Sequence, residues 1–140
     1  MFECLIMGDS IAVGTAHFRK ECVTIAKSGI NSGQYLTHYI SNTPFDTKTA
    51  IISLGANDSP DQLTYENLQK IRAKVNAERV YWILPAGNLK GSEVPIEHVQ
   101  NIVTELAAQY GDVVLPITKI SSDKIHPSKE GYKDLAEKTR

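Results

Sequence analysis

Residues 4–11 read CLIMGDSI, a short apolar run that ends in a Gly-Asp-Ser turn. The run Cys4–Met7 is typical of a buried strand, and the stretch Ile11–Lys20 begins apolar and becomes charged, as an amphipathic helix leaving a sheet does. Ser10 is therefore predicted at the junction of a strand and a helix, with its hydroxyl exposed. Backbone amides at the start of a helix favour negative charge, so this position suits a nucleophile whose attack creates an oxyanion.

Short apolar runs and longer helical stretches alternate along the rest of the chain. Four further strands are predicted at Val23–Ala26, Ile51–Leu54, Val80–Leu84 and Val113–Leu115, and helices at Gly33–Ile40, Tyr65–Val75, Ile96–Tyr110 and Lys129–Lys138. Gly111 follows the third of these helices, where a glycine commonly ends a helix. The pattern predicts an α/β fold, a flavodoxin-like three-layer α/β/α sandwich with a five-stranded parallel sheet in the order 2-1-3-4-5.

The composition is that of an ordinary globular protein, and we expect residues 1–140 to form one domain. The formal net charge is −1, with acidic and basic residues interleaved, so neither nucleic acid nor a membrane is expected as a partner. No apolar run approaches the roughly 20 residues that span a bilayer. The first residues lack the features of a secretory signal. These observations favour a cytoplasmic location, with association with a phage particle as an alternative.

The two cysteines lie in short apolar segments, where cysteine is most often a buried thiol. Cys4 and Cys22 are therefore expected to be inert core thiols that form no disulfide. They have no metal-ligand spacing relative to the histidines, so no zinc site is expected.

The predicted topology places the functional site without reference to any family. In parallel α/β sheets, ligands bind beyond the carboxyl ends of the strands, where the strand order reverses. Here that edge collects Ser10 after the first strand, Gly29 after the second and Asn57 after the third. Because these three strands would be neighbours, their loops are expected to meet.

A serine hydroxyl needs a base to become a good nucleophile. The base is expected to be His126, in the polar loop SSDKIHP at residues 121–127. Asp123, three residues earlier, could accept a hydrogen bond from the imidazole and fix its tautomer, although the same pattern also occurs as a simple turn before a helix. The remaining histidines fall on predicted helices, where surface or packing roles are expected: His17, His38 and His98.

Hydrogen-bond donors for an oxyanion are available at three positions. They are the backbone N–H of Ser10, the loop around Gly29, where a missing Cβ lets the backbone approach a substrate, and the side-chain amide of Asn57. Gly, Asn and Asp are also common in ordinary turns, so each motif alone leaves both interpretations open.

Taken together, GDSI at residues 8–11, Gly29, GAND at residues 55–58 and DKIHP at residues 123–127 resemble the ordered blocks of the SGNH hydrolases, also called GDSL esterases and lipases. The resemblance extends to the last helix, with Gly131, Tyr132 and Ala136. It implies a catalytic triad with Ser10 as nucleophile, His126 as general base and Asp123 as the acid that orients it. It also implies an oxyanion hole formed by Ser10, Gly29 and Asn57.

The expected function is that of a serine esterase that works through an acyl-enzyme, without metal or organic cofactor. The chain is shorter than is usual for the family, which leaves little apolar surface for a long acyl chain. A small-molecule or carbohydrate ester with a short acyl group, such as an O-acetyl group on a sugar, is therefore expected. Lysophospholipid or thioester hydrolysis, acyl transfer, a catalytically idle binding domain of a larger assembly and a flavin-binding protein are the alternatives.

Supporting roles are expected for several other segments. The segments Pro85–Ser92 and Asp58–Asp61 are expected to form walls of the cleft. Tyr81 and Trp82 are expected to pack in the core, and Asp9 and Asp58 to hold the catalytic loops through backbone hydrogen bonds.

Overall fold

Five strands alternate with five helices in residues 1–87 and 93–140, the part of the chain that the computed structural model describes. The strands are β1 (Phe2–Gly8), β2 (Val23–Ala26), β3 (Phe45–Ser53), β4 (Val75–Leu84) and β5 (Val113–Pro116), and the helices are α1 (Ser10–Ala16), α2 (Ser32–Tyr39), α3 (Thr64–Ala73), α4 (Ile96–Tyr110) and α5 (Lys129–Lys138).

All neighbouring strands are parallel, and their order is β2-β1-β3-β4-β5, which confirms the predicted topology. Helices α1 and α5 cover one face of the sheet, and α2, α3 and α4 cover the other. Successive side chains of a strand point to opposite faces. In β1, Leu5 and Met7 accordingly pack under the three-helix layer, and Cys4 and Ile6 pack under the two-helix layer.

The two aromatic residues that the sequence places in the fourth strand pack on opposite faces of the sheet. Trp82 is fully buried, and its indole N–H donates to Asp112 Oδ2 over 2.9 Å. Tyr81, which points to the other face, is partly buried against the α1–α5 side. Both observations confirm the predicted packing role.

Several predicted boundaries are wrong, and the two largest differences are at the starts of β3 and β4, which pair with each other. Strand β3 begins six residues before the apolar run, because the hydroxyls of the buried Thr47 and Thr49 have hydrogen-bond partners. Helix α3 ends at Ala73, before its predicted end at Val75, and β4 begins at Val75 instead of Val80, because its first half pairs with β3. Helix α1 ends at Ala16, and short turns such as the one closed by Phe18 N–H donating to Thr15 O follow it.

The prediction of two free thiols is also wrong, because Cys4 and Cys22 form a disulfide. Leu5 lies opposite Val23 in the parallel pairing of β1 with β2. The preceding residues, Cys4 and Cys22, are therefore brought side by side. Both cysteines are buried as expected, but the register of the two strands joins them.

None of the helices in the described part of the chain has both the length and the apolar character needed to cross a bilayer.

Candidate active site

The junction of β1 and α1 forces a tight turn that presents Ser10. Gly8 has φ +137°, and a Cβ there would lie 1.8 Å from the carbonyl oxygen of Ser53. Only glycine fits such a position. The Asp9 N–H donates to the same carbonyl over 2.9 Å, so the turn is fastened to the end of β3.

The Asp9 side chain holds this turn from the protein interior, as the sequence predicts. Its Oδ1 accepts from the Ile11 N–H at 3.1 Å and from the Ser53 hydroxyl at 3.0 Å, which makes it the N-cap of α1. The side chain is buried. Burial disfavours the ionised form and raises the pKa of Asp9 to about 6, against the opposing effect of these hydrogen bonds.

Ser10, His126 and Asp123 form one chain of hydrogen bonds. Ser10 Oγ lies 2.9 Å from His126 Nε2, and His126 Nδ1 lies 2.7 Å from Asp123 Oδ2. With Asp123 ionised, Nδ1 carries the proton, so Nε2 is free to accept the proton of the Ser10 hydroxyl. The arrangement can therefore activate a serine nucleophile.

Asp123 is stabilised as a carboxylate although it is exposed to solvent. Its Oδ1 accepts from the Ser121 hydroxyl at 2.6 Å, from the Ile125 N–H at 2.8 Å and from the His126 N–H at 2.9 Å. These hydrogen bonds, with the Ser121 hydroxyl making the largest contribution, hold the pKa of Asp123 far below its usual range. The carboxylate thus stays ionised wherever His126 can act as a base.

The loop that carries the histidine is closed on itself and braced by a neighbouring segment. Its two ends are paired, since the Ser121 N–H donates to the His126 carbonyl over 2.8 Å. Lys124, between Asp123 and His126, has φ +63°. The backbone of Gly87 packs directly on it, so closely that a Cβ at Gly87 would lie 1.9 Å from the Lys124 carbonyl oxygen.

Three potential oxyanion donors lie in the loops that leave β1, β2 and β3. Within the described chain, the N–H groups of Ser10 and Gly29 donate to no protein acceptor. The loops of Ser10 and Gly29 are joined where the Lys27 N–H donates to the Gly8 carbonyl over 2.9 Å. Asn57 Nδ2 donates to the Ile30 carbonyl over 3.0 Å, which orients the amide and leaves its second N–H available.

Asp58 organises the neighbouring loop from inside the protein. It is buried and accepts from the Ser32 N–H at 2.8 Å, from the Ser32 hydroxyl at 2.5 Å and from the Thr64 hydroxyl at 2.6 Å. This confirms its predicted role in holding loops, and the burial shows that only residues 59–61 of the predicted wall face solvent. Of the other predicted wall, Pro85–Ser92, residues 88–92 lie outside the described residues.

One group of three possible metal-ligating residues occurs in the described ranges: Cys4, Glu21 and Cys22. Its two sulfur atoms are bonded to each other in the disulfide. The cysteines lie on the first strand and before the second, at the opposite end of the sheet from Ser10.

A pocket beside Gly29 was not predicted from the sequence. It has a volume of about 420 Å³ and is lined by the loop Lys27–Ile30 and by Gln34, His38 and Tyr39 of α2. The sequence feature that could have indicated this pocket is the spacing of Gln34 and His38. They stand four residues apart on a helix that follows one of the oxyanion loops.

No family model matches this sequence, and no curated protein matches it, whereas several solved structures share its fold. A GDSL-like lipase from Bacteroides thetaiotaomicron superposes with a TM-score of 0.71 at 18% identity, over 96% of this chain and 83% of its own. A member of the lipolytic G-D-S-L family from Veillonella parvula gives 0.66 at 16% identity, over 99% and 96% of the two chains. An extracellular lipase from Streptomyces rimosus gives 0.68 at 11% identity, over the whole of both chains. The chain therefore has the fold of the GDSL, or SGNH, hydrolases.

Proposed function

We propose that this protein is a serine hydrolase of the GDSL (SGNH) family that cleaves carboxylic esters through an acyl-enzyme on Ser10. The observation that carries the proposal is the chain of hydrogen bonds from Ser10 through His126 to Asp123, at 2.9 Å and 2.7 Å. The fold shared with solved GDSL-family structures supports it.

Acylation begins when Ser10 Oγ attacks the ester carbonyl carbon and its proton passes to His126 Nε2. The imidazolium that forms is stabilised by the ionised Asp123. The tetrahedral intermediate then collapses, the bond to the alcohol breaks, and His126 returns the proton to the leaving oxygen. Water, deprotonated by the same imidazole, hydrolyses the acyl-enzyme and restores Ser10.

The oxyanion of each tetrahedral intermediate is held by the N–H groups of Ser10 and Gly29 and by the side-chain amide of Asn57. The absence of protein acceptors for the two backbone donors within the described residues supports this role. Because such donors are fixed before the reaction, the loss of one typically lowers the rate by about 10²–10³-fold.

The substrate we propose is a short-chain ester, such as an O-acetyl group on a carbohydrate. The polar lining of the pocket beside Gly29 supports this choice over the lipid esters suggested by the words lipase and lipolytic for the matching structures. A series of p-nitrophenyl esters from acetate to decanoate tests it. We expect kcat/KM to be highest for the shortest esters, whereas a steady rise towards decanoate would contradict the short-chain proposal.

The proposal needs no metal or organic cofactor, since the nucleophile, the base and the oxyanion donors all belong to the chain. The single-domain organisation and the lack of nucleic-acid or membrane partners stay predictions. The cytoplasmic location also stays a prediction. The Cys4–Cys22 disulfide weighs against it, because disulfides persist mainly in oxidising compartments.

A fluorophosphonate probe tests the enzyme class, because it reacts with activated serines. We expect stoichiometric labelling, with the modified peptide containing Ser10 by mass spectrometry and no labelling of the His126→Ala variant. A wild-type protein that is folded but stays unlabelled would favour a catalytically idle binding domain.

A further inference from the structure

The pocket beside Gly29, here called the Lys27 pocket, has the size of a small-molecule site. Its volume of about 420 Å³ lies within the roughly 300–1,000 Å³ typical of such sites. One wall is the loop Lys27–Ile30, and the other is the face of α2 that carries Gln34, His38 and Tyr39.

The described side chains that line the Lys27 pocket carry positive charge and no negative charge. Lys27 contributes an ammonium group and His38 an imidazole, and the lining includes no carboxylate among the described residues. The side chains of both residues are exposed, and neither takes part in a hydrogen bond or an ion pair within the described ranges of the chain. Among the other lining side chains, Gln34 Oε1 accepts from the Asn31 N–H at 3.0 Å, and the hydroxyls of Ser28 and Tyr39 offer further neutral groups for a ligand. Lys27 and His38 are thus available as donors for an anionic ligand.

The Lys27 pocket shares one residue, Gly29, with the proposed oxyanion hole. Gly29 lines the pocket and also has an N–H that donates to no acceptor in the described chain. The next residue, Ile30, is fixed on both sides, since its N–H donates to the Lys27 carbonyl and its carbonyl accepts from Asn57. A substrate whose carbonyl oxygen is bound by the Gly29 N–H therefore lies at the edge of this pocket.

We propose that the Lys27 pocket binds the alcohol portion of the substrate and selects an alcohol that carries an anionic group, either a carboxylate or a phosphate. This inference rests on the esterase function proposed above. An acetyl group is too small to fill the pocket, so the alcohol must occupy it. Anions form short, charge-assisted hydrogen bonds with ammonium and imidazole donors. Tyr39, whose ring packs against Tyr35 at 5.1 Å between centroids, offers a flat surface for the ring of a sugar.

Three acetyl esters of similar shape test the proposal: 4-acetoxybenzoate, 4-acetoxyphenyl phosphate and the neutral methyl 4-acetoxybenzoate. The readout is the ratio of kcat/KM for each anionic ester to kcat/KM for the neutral one, so intrinsic reactivity cancels between variants. We expect Lys27→Gln to lower at least one ratio by about fivefold, as for a partly exposed ion pair, and His38→Gln to lower the same ratio. The wild-type ratio should also fall at high salt.

The matched control is Lys20→Gln, an exposed lysine before β2 that lies at the other end of the sheet. It should leave both ratios unchanged. The anionic ester with the larger response to Lys27→Gln identifies the group, carboxylate or phosphate. Ratios that stay within twofold of the wild type in both pocket variants would overturn the proposal.

A wild-type protein that cleaves none of the three esters would count against the proposed esterase function and leave the pocket to a separate test. Binding of 4-hydroxybenzoate and 4-hydroxyphenyl phosphate is then followed by NMR. Shifts of the Gly29 amide and the His38 ring that disappear in Lys27→Gln would support an anion subsite. The absence of such shifts would overturn it.

Discussion

His126 can accept a proton from Ser10 only while its Nδ1 carries the other proton, and Asp123 enforces that tautomer. An asparagine at position 123 can turn its NH₂ group towards Nδ1, which favours the opposite tautomer and leaves Nε2 protonated. We expect Asp123→Asn to lower kcat for p-nitrophenyl acetate by about 10²–10⁴-fold with little change in KM. The control is Asp46→Asn, which changes an exposed aspartate at the start of β3. A loss smaller than threefold would show that Asp123 does not orient the base.

The buried Asp9 leads to a prediction about how the stability of the fold depends on pH. Burial raises its pKa to about 6 in the folded protein, from an ordinary value of 3.8, so the folded state binds this proton more tightly than the unfolded state. Its contribution to stability is present below the lower pKa and is lost as the pH rises through the higher one. We therefore expect the stability of the wild type relative to Asp9→Asn to fall by about 2 kcal/mol between pH 4 and pH 7.

Urea denaturation of the wild type and of Asp9→Asn at several pH values measures this difference in unfolding free energy. Any cost of the new amide is the same at every pH, so it does not affect the change with pH. The control is Asp46→Asn, which makes the same substitution at an exposed position. A wild-type advantage over Asp9→Asn that grows with pH would contradict the sign of the shift.

At the scale of elements, the segment after β4 determines where the catalytic loop lies. Gly87→Ala must displace the Lys124 carbonyl, which a Cβ would approach to 1.9 Å. Because Lys124 stands between Asp123 and His126, we expect kcat to fall by at least tenfold. Gly111 has the same φ of +72° but no atom within 4 Å of its Cβ position, so Gly111→Ala carries the backbone strain without the collision.

Comparison of the two variants therefore separates loop positioning from strain. Both should lose a similar amount of stability in thermal denaturation from the left-handed backbone alone, with an added loss for Gly87→Ala. Only Gly87→Ala should lose activity while it is still folded. Equal activities in the two variants would show that the contact with Lys124 does not position the site.

The elements that the sequence predicts correctly are those with one dominant signal. Helix α4 has an apolar stripe at helical spacing, and Gly111 ends it in the left-handed conformation. Strand β2 is a short apolar run between polar turns. By contrast, the first half of β3 alternates with buried threonines, and Val75 fits a helix face as well as a strand. In both cases burial by the neighbouring strands decided the outcome, and the local pattern does not contain that information.

At the scale of the whole molecule, the position of the site follows from topology alone. A parallel sheet in the order 2-1-3 brings the loops of Ser10, Gly29 and Asn57 to one edge whatever their details. The disulfide depends on more than the order of strands, because Cys4 and Cys22 meet only in one register of β1 against β2. Side-chain composition did not fix that register, so the cysteines looked like ordinary core residues.

The disulfide closes a loop that contains Ser10 and all of α1, with a sequence separation of 18. Loops of about this length gain roughly 3 kcal/mol from a cross-link. We expect the oxidised protein to lose about that much unfolding free energy when urea denaturation is carried out with a reductant. The double variant Cys4→Ala, Cys22→Ala should show no effect of reductant. Two titratable thiols in the denatured, oxidised protein would contradict the cross-link.

Hydrolysis of p-nitrophenyl acetate by the wild type and by Ser10→Ala tests whether Ser10, activated by His126, cleaves esters. An exposed serine variant, Ser41→Ala, controls for general effects of the substitution. We expect activity in the wild type and in Ser41→Ala, and a loss of at least about 10³-fold in Ser10→Ala. Equal, weak hydrolysis by all three proteins would contradict this role of Ser10.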